Sequence, residues 1–211
     1  MMHINSTDRI TVCGLPGTGK TTFSKYLAEL CGSNLLIYDP LDQYKEFPDE
    51  CRYIPRSDSL EEFEEVCGRL CARSNVTFLI EEVERYLGQG KPLGPNAFDL
   101  VNRGRNWGVG IIAVTRRIQK LSKDYFDLCQ TVIFFRCGLK SRKYIYDMLG
   151  KEESYFITRL PKYHFLHYSL EEENYGITTL VLGGGPKLVS DPELTSEMHQ
   201  QASETNPSNT A

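Results

Sequence analysis

An α/β fold built on a mainly parallel sheet is predicted by the alternation of apolar runs and amphipathic segments along the chain. The apolar runs have the length of strands and are continuous, which is typical of strands buried on both faces of a parallel sheet. They cover residues 10–13, 35–38, 76–80, 110–114 and 131–135. Helical segments separate them, so right-handed crossovers and a three-layer sandwich are expected.

The helical segments are predicted from apolar stripes and from signals at their ends. Gly32 suits the position that follows a first helix. Ser59 and Glu62 have the spacing of a capping box, so a second helix is expected to begin after Ser59. The other helices are expected at residues 95–106, 124–129 and 140–149, and the first covers residues 21–31.

The C-terminal part of the chain predicts a hairpin and then a tail. Residues 164–168 and 177–182 have strand character and are joined by a turn-like segment, which predicts a hairpin at one edge of the sheet. Polar residues dominate the end of the chain. We therefore expect one folded domain over residues 1–188 and a disordered tail over residues 189–211.

Composition excludes several classes of protein. The chain has 211 residues, 40% hydrophobic and 25% charged, and a formal net charge of −4, so it does not coat nucleic acid through bulk positive charge. Its seven cysteines, an odd number without C-x-x-C spacing, argue against a disulfide framework and a zinc ribbon. No apolar run reaches the ~20 residues that span a bilayer. A cytoplasmic protein with no intrinsic membrane span is expected.

A glycine-rich segment between the first apolar run and the first helix predicts a phosphate site. It matches G-x-x-x-x-G-K-[ST], the P-loop motif, in the required context of a strand before and a helix after. Lys20 is expected to reach the β- and γ-phosphates of ATP, and the Thr21 hydroxyl to bind Mg²⁺. The residues expected to bind ATP are Gly14, Leu15, Pro16, Gly17, Thr18, Gly19, Lys20, Thr21 and Thr22.

Two adjacent acidic residues complete this predicted site. Glu81 and Glu82 come directly after the apolar run at residues 76–80. Glu81 is expected to hold Mg²⁺ through water, as a Walker B acid does, and Glu82 to activate the attacking water. The pair therefore favours ATP hydrolysis over simple phosphate binding.

Three further stretches resemble the HerA–FtsK superfamily of pumping ATPases, in the order expected for it. They are residues 35–44, residues 103–115 and residues 116–136. Over residues 9–150 the chain resembles this superfamily. Because the chain is short, it resembles most the DNA-packaging ATPases of tailless icosahedral viruses, as well as HerA-like and Zot-like proteins. The resemblance implies a RecA-like P-loop NTPase domain.

The resemblance also implies partners and catalytic arginines. Such ATPases work as rings, here a hexamer or pentamer, that move double-stranded DNA and use an arginine from the neighbouring subunit. Arg105 is the first candidate for that arginine, before Arg103 and Arg136. Arg116 stands where the superfamily usually has a glutamine that senses the γ-phosphate, and as a candidate catalytic residue it is expected either to contact phosphate or to serve the neighbouring subunit. A capsid or membrane vertex protein is a further expected partner, with location in the host cytoplasm or the virion.

Two segments are the predicted DNA contacts, and two other functions remain open. The DNA contacts are residues 88–95 and residues 136–143, each with basic side chains. A small nucleoside or nucleotide kinase is one alternative, for which Arg52 and Arg56 are the nearest approximation to a lid. An ATP-switched assembly protein with slow hydrolysis is the other.

Overall fold

The computed structural model describes residues 5–57, 59–172, 174–182 and 186–197. Its strands are β1 (Arg9–Cys13), β2 (Leu35–Tyr38), β3 (Arg52–Tyr53), β4 (Val76–Ile80), β5 (Val109–Thr115), β6 (Thr131–Phe134), β7 (His164–Ser169), β8 (Asn174–Val181) and β9 (Lys187–Ser190). Its helices are α1 (Lys20–Cys31), α2 (Leu60–Cys71), α3 (Pro95–Arg103), α4 (Lys123–Phe126), α5 (Leu139–Leu149) and α6 (Lys151–Ile157).

All of these strands form one sheet in the order β3-β2-β4-β5-β1-β6-β7-β8-β9. The pairs from β3 to β6 are parallel, and those from β6 to β9 are antiparallel. The predicted α/β fold with a mainly parallel sheet is therefore confirmed, with β1 at its centre. No helix within the described ranges is long and apolar enough to cross a membrane.

Side chains alternate between two apolar cores, one on each face of the sheet. In β1, Val12 faces the core that also contains Phe23 and Leu27 of α1. Cys13, its neighbour, faces the core that contains residues from α2 to α6. Successive side chains of a strand point to opposite faces, so continuous apolar strands fill both cores at once. The helices thus form the outer layers of the predicted three-layer sandwich.

The five apolar runs are confirmed as strands, whereas three elements escaped the prediction. These are β3, β9 and α6. β3 is only two residues long and β9 is largely exposed, so neither has an apolar run to mark it. The helix expected at residues 95–106 ends at Arg103 and continues as a 3₁₀ turn over Gly104–Trp107.

The C-terminal hairpin is confirmed, but it is not the last feature of the sheet. β7 pairs with β8, and β9 then pairs with β8 on its other side. Ordered structure consequently continues past the boundary predicted at residue 188, because β9 ends at Ser190 and residues 192–197 are helical. Residues 198–211 of the predicted tail lie outside the described residues.

The parallel strands place three chain segments at one edge of the sheet. The last residue of β1, Cys13, is level with Thr115 at the end of β5, and Ile80 at the end of β4 is level with Ala113 of β5. The segments that follow β1, β4 and β5 therefore meet at this edge of the sheet. The chain leaves β1 for β2 on one side of β1, and it leaves β5 for β6 on the other side, so the direction of the connections changes here. Open α/β sheets bind their ligands at such a switch point.

Candidate nucleotide-binding site

Two glycines allow the loop between β1 and α1 to pass close to its neighbours. Gly14 has φ +153° and Gly19 has φ +117°, a region that favours glycine. A Cβ atom at Gly14 would lie 2.7 Å from Cβ of Phe135, and one at Gly19 would lie 2.7 Å from Cδ1 of Tyr163. The loop therefore requires glycine at both positions for conformation and for space.

Hydrogen bonds hold this loop in a fixed shape. The Leu15 N–H donates to the Arg136 carbonyl at 2.8 Å, and the Thr18 hydroxyl donates to the Leu15 carbonyl at 2.8 Å. The Tyr163 N–H donates to the Thr18 carbonyl at 2.9 Å. The loop is thus tied to the ends of β6 and β7 as well as to itself, and it is preorganised for an anion.

Lys20 points its ammonium across the loop. Nζ donates to the Leu15 carbonyl at 3.0 Å, and the side chain is buried. Burial lowers the pKa of Lys20, while the nearby Glu81 carboxyl acts in the opposite direction. An ammonium has three N–H donors, so Lys20 can bind phosphate oxygens while it keeps the bond to the loop.

Glu81 is buried at the end of β4, and a tyrosine from another element contacts it. The Tyr44 hydroxyl donates to Oε1 of Glu81 at 2.5 Å. Burial raises the pKa of the Glu81 carboxyl, whereas the Tyr44 hydroxyl and the Lys20 ammonium favour its charged form. Tyr44 is fully buried and holds the carboxyl in one position. Residue spacing does not predict this role for Tyr44.

The turn after β2 explains why Tyr44 can reach Glu81. The Asp39 carboxylate is fully buried and accepts hydrogen bonds from the N–H groups of Gln43 and Tyr44, each at 2.9 Å. Gln43 also meets the site, since its Oε1 lies 3.5 Å from the Thr21 hydroxyl. A buried aspartate that binds the following backbone is a local signal for such a turn.

Replacing Tyr44 with phenylalanine is expected to lower the free energy of unfolding by about 1–3 kcal/mol, because the buried Glu81 carboxyl loses its donor. Phenylalanine fills the same space, so the loss reports the hydrogen bond rather than a cavity. Denaturant unfolding of Tyr44→Phe measures it, with Tyr146→Phe on the exposed side of α5 as the control. Equal stability of Tyr44→Phe and the parent chain would contradict this role.

Glu82 adopts an unusual backbone conformation beside Glu81. Its φ of 50° and ψ of 42° are left-handed, a region that only a few per cent of residues other than glycine occupy. Its carboxylate forms ion pairs with Arg85 and Arg116. The Arg116 N–H donates to Oε1 of Glu84 at 3.3 Å. Strained residues of this kind cluster at functional sites, where surrounding contacts hold them.

These groups surround one cavity of about 320 Å³ at the edge of the sheet. Its lining includes Lys20, Thr21 and Thr22 of the loop, the two glutamates and Arg116. Oxygen donors from Thr21 and Glu81 meet there, which are the ligand atoms that Mg²⁺ prefers. The residues present therefore fit a nucleoside triphosphate with Mg²⁺. The other lining residues are Pro16, Gly17, Gly19, Leu41, Gln43, Val114, Thr115, Lys162 and Tyr163.

Arg105, the first candidate for an arginine that acts on a neighbouring subunit, lies outside this cavity. It precedes β5, whereas the cavity lies at the far end of that strand. Nη1 of Arg105 lies 3.6 Å from Oε1 of Glu171, and the side chain is about half exposed. It lines an open cleft that also contains the buried Arg9. Arg105 therefore does not line the nucleotide cavity of its own chain.

The two segments predicted to contact DNA differ in their structure. Within residues 88–95, the Gln89 N–H donates to the Lys120 carbonyl at 2.7 Å and Nζ of Lys91 donates to the Arg85 carbonyl at 2.7 Å. Within residues 136–143, Leu139 begins α5 and is 76% exposed, and Lys140 and Lys143 are also exposed. Lys140 and Lys143 of the second segment thus extend into solvent, whereas Lys91 of the first segment is hydrogen-bonded to the backbone.

Lys162 and Tyr163 also line the cavity, although no sequence motif predicts that they do. They precede β7 and lie far from the P-loop in the sequence. The hydrogen bond from Tyr163 to Thr18 brings them to the loop. Only the pairing of β7 with β6 creates this contact, so residue spacing could not predict it.

Comparison with solved structures identifies the fold. The genome packaging NTPase B204 from Sulfolobus turreted icosahedral virus 2, in complex with AMPPCP, matches with a TM-score of 0.71 and 18% identity, over 82% of this chain and 98% of that chain. Its complex with ATP-gammaS gives a TM-score of 0.72 and 17% identity, over 85% and 100%. B204, the DNA-packaging ATPase from Sulfolobus Turreted Icosahedral Virus, gives 0.71 and 17% identity, over 82% and 98%.

These similarities confirm the predicted P-loop NTPase fold. The match spans nearly the whole length of the viral proteins. No protein-family model matches the sequence. No curated protein matches it either. At identities below 20%, the similarity establishes the fold, whereas the activity has to be argued from the site.

Proposed function

We propose that this chain is the subunit of a ring-shaped motor that hydrolyses Mg²⁺-ATP and moves double-stranded DNA, as in genome packaging. The observation that carries the proposal is that the P-loop, the Glu81–Glu82 pair and Arg116 all line one cavity. The similarity in fold to viral packaging NTPases supports it. A location in the host cytoplasm or in the virion follows from this role, as does a capsid or membrane vertex protein as a partner.

Different residues of the cavity are assigned to phosphate binding, to Mg²⁺ binding and to proton transfer. In this proposal, Lys20 and the loop N–H groups bind the phosphates, and Thr22 binds the α-phosphate. Thr21 and Glu81 hold Mg²⁺, which neutralises charge on the β- and γ-phosphates when bound. Glu82 accepts a proton from the water that attacks the γ-phosphorus.

Arg116 is the ion-pair partner of Glu82. Its guanidinium pairs with the Glu82 carboxylate. A γ-phosphate offers Arg116 a second anionic partner, and arginine binds phosphate oxygens well because its donors form a planar fork. Arg116 therefore senses the γ-phosphate in place of the usual glutamine, and its movement toward phosphate frees Glu82 to act on water.

The DNA contact is assigned to the start of α5. Lys140, Arg142 and Lys143 supply positive charge there, close to the P-loop, because Leu15 contacts Gly138 directly before this helix. Contacts to phosphates of this kind do not read sequence. Lys91 in residues 88–95 is a second contact point, although its Nζ donates a hydrogen bond to the Arg85 carbonyl.

DNA is expected to stimulate ATP hydrolysis, and ATP with DNA is expected to convert the chain into a closed ring. The measurements are steady-state ATPase rates with and without double-stranded DNA, and particle mass in solution. Lys140→Glu with Lys143→Glu is expected to lose most of the stimulation and to keep the basal rate. Lys123→Glu with Lys187→Glu, which reverses two exposed lysines at the starts of α4 and β9, is the matched control. A strictly monomeric particle whose rate ignores DNA would refute the motor.

The contacts of Arg52, one of the two arginines expected in a kinase lid, argue against the kinase alternative. The Arg52 side chain is buried and pairs with Asp39, Asp42 and Asp49, so it is committed to the turn after β2. Phosphate transfer to a nucleoside faster than hydrolysis would reverse this ranking. Slow hydrolysis that DNA does not accelerate would favour an ATP-switched assembly protein.

A further inference from the structure

Tyr163 has a backbone conformation that its residue type disfavours. Its φ is +67°, in the left-handed region, where glycine and asparagine are the usual residues. Two hydrogen bonds hold it there: its N–H donates to the Thr18 carbonyl at 2.9 Å, and its carbonyl accepts from the Leu180 N–H at 2.9 Å. A bulky aromatic residue held in this conformation beside a ligand cavity suggests that its side chain has a function.

The Tyr163 ring lies directly against the P-loop. A Cβ atom at Gly19 would lie only 2.7 Å from Cδ1 of the Tyr163 ring. The ring is only partly buried and lines the nucleotide cavity together with Pro16 and Thr22. An aromatic surface therefore borders the phosphate-binding loop.

The strand order gives the cavity a direction. Glu82 follows β4 and Arg116 follows β5, which lie on one side of β1 in the sheet. Tyr163 precedes β7, on the other side of β1. The catalytic groups and the γ-phosphate thus occupy one side of the P-loop, and the nucleoside extends toward Tyr163 on the other.

We infer that Tyr163 is the surface on which the base of the nucleotide stacks, so that this site binds a nucleoside triphosphate more tightly than the triphosphate alone. The inference rests on the nucleotide site of the proposed function, but not on DNA or on the ring. Stacking on an aromatic ring is available to every base. Nζ of Lys162 lies over the Tyr163 ring, 4.8 Å from its centre, so a stacked base takes the opposite face of the ring or displaces this ammonium.

Tyr163→Asn separates this role from a structural one, because asparagine tolerates the left-handed conformation. The variant is expected to bind Mg²⁺-AMPPCP about tenfold more weakly, which corresponds to the loss of one base stack. Its affinity for inorganic tripolyphosphate is expected to be unchanged, and its melting temperature unchanged or higher. Tyr163→Phe keeps the ring and is expected to bind AMPPCP as the parent chain does.

Calorimetric titration of both ligands into the parent chain and the variants provides the test, with Tyr146→Asn on α5 as the control. An equal loss of affinity for AMPPCP and tripolyphosphate would mean that Tyr163 only supports the P-loop, and this would overturn the inference. Unchanged AMPPCP binding by Tyr163→Asn, or no binding by the parent chain, would also overturn it. A base-dependent loss in a chain whose ATPase ignores DNA would leave the inference intact and refute the motor.

Discussion

Glu82→Gln is expected to lower the rate of ATP hydrolysis by about 10²–10⁴-fold, the usual contribution of a positioned general base. Glutamine keeps the length and shape of the side chain but cannot accept a proton from the attacking water. Binding of Mg²⁺-ATP is expected to persist, because Lys20, Thr21 and Glu81 are untouched. Single-turnover hydrolysis and equilibrium binding of ATP measure the two effects separately.

The control for this variant is Glu61→Gln, which removes one carboxylate from the exposed face of α2. It is expected to hydrolyse ATP at the parent rate. If Glu82→Gln also hydrolyses ATP at the parent rate, Glu82 serves only as the ion-pair partner of Arg85 and Arg116. If it loses ATP binding instead, its carboxylate supports the cavity rather than the reaction.

Arg105→Ala is expected to lower turnover by about 10³–10⁵-fold, the contribution of an arginine supplied by a neighbouring subunit. In the proposed ring Arg105 acts on the nucleotide of the neighbouring subunit, and it lies at the opposite end of β5 from the cavity of its own chain. The loss is expected only in turnover, with ATP binding by the isolated chain unchanged. Arg73→Ala removes an exposed arginine elsewhere and is the matched control.

Mixing two inactive variants tests whether Arg105 acts across an interface. An Arg105→Ala subunit has an intact cavity, and a Glu82→Gln subunit has an intact Arg105. Mixed rings are therefore expected to regain part of the ATPase activity, at interfaces where one subunit supplies what the other lacks. If rings form but no activity is recovered, Arg105 is not the arginine that acts on the neighbouring subunit. That arginine would then be Arg103 or Arg136, or the mechanism would not use one.

The position of Arg116 could be predicted from the sequence, but its contacts could not. It follows the end of β5, and parallel strands bring such positions to one edge of the sheet. Its ion pair with Glu82 depends on the left-handed turn that Glu82 makes after β4. Nothing in the order of residues indicates that turn, because glutamate rarely adopts it.

The sequence by itself determined the parallel core, the P-loop and the acidic pair after β4. Each of these is a local pattern: continuous apolar runs, glycines at fixed spacing, and carboxylates directly after a strand. Such patterns act through backbone torsions and side-chain periodicity, which involve residues close together in the chain. The phosphate-binding loop, residues 14–21, can therefore be recognised from the sequence alone.

Only the tertiary structure decided which distant side chains complete the site. Tyr44 reaches Glu81 through the turn that Asp39 holds, and Tyr163 reaches Thr18 because β7 pairs with β6. The tertiary structure also shows that Arg105 lies outside the nucleotide cavity of its own chain. These placements depend on strand order and packing between elements far apart in the chain, which residue spacing does not encode.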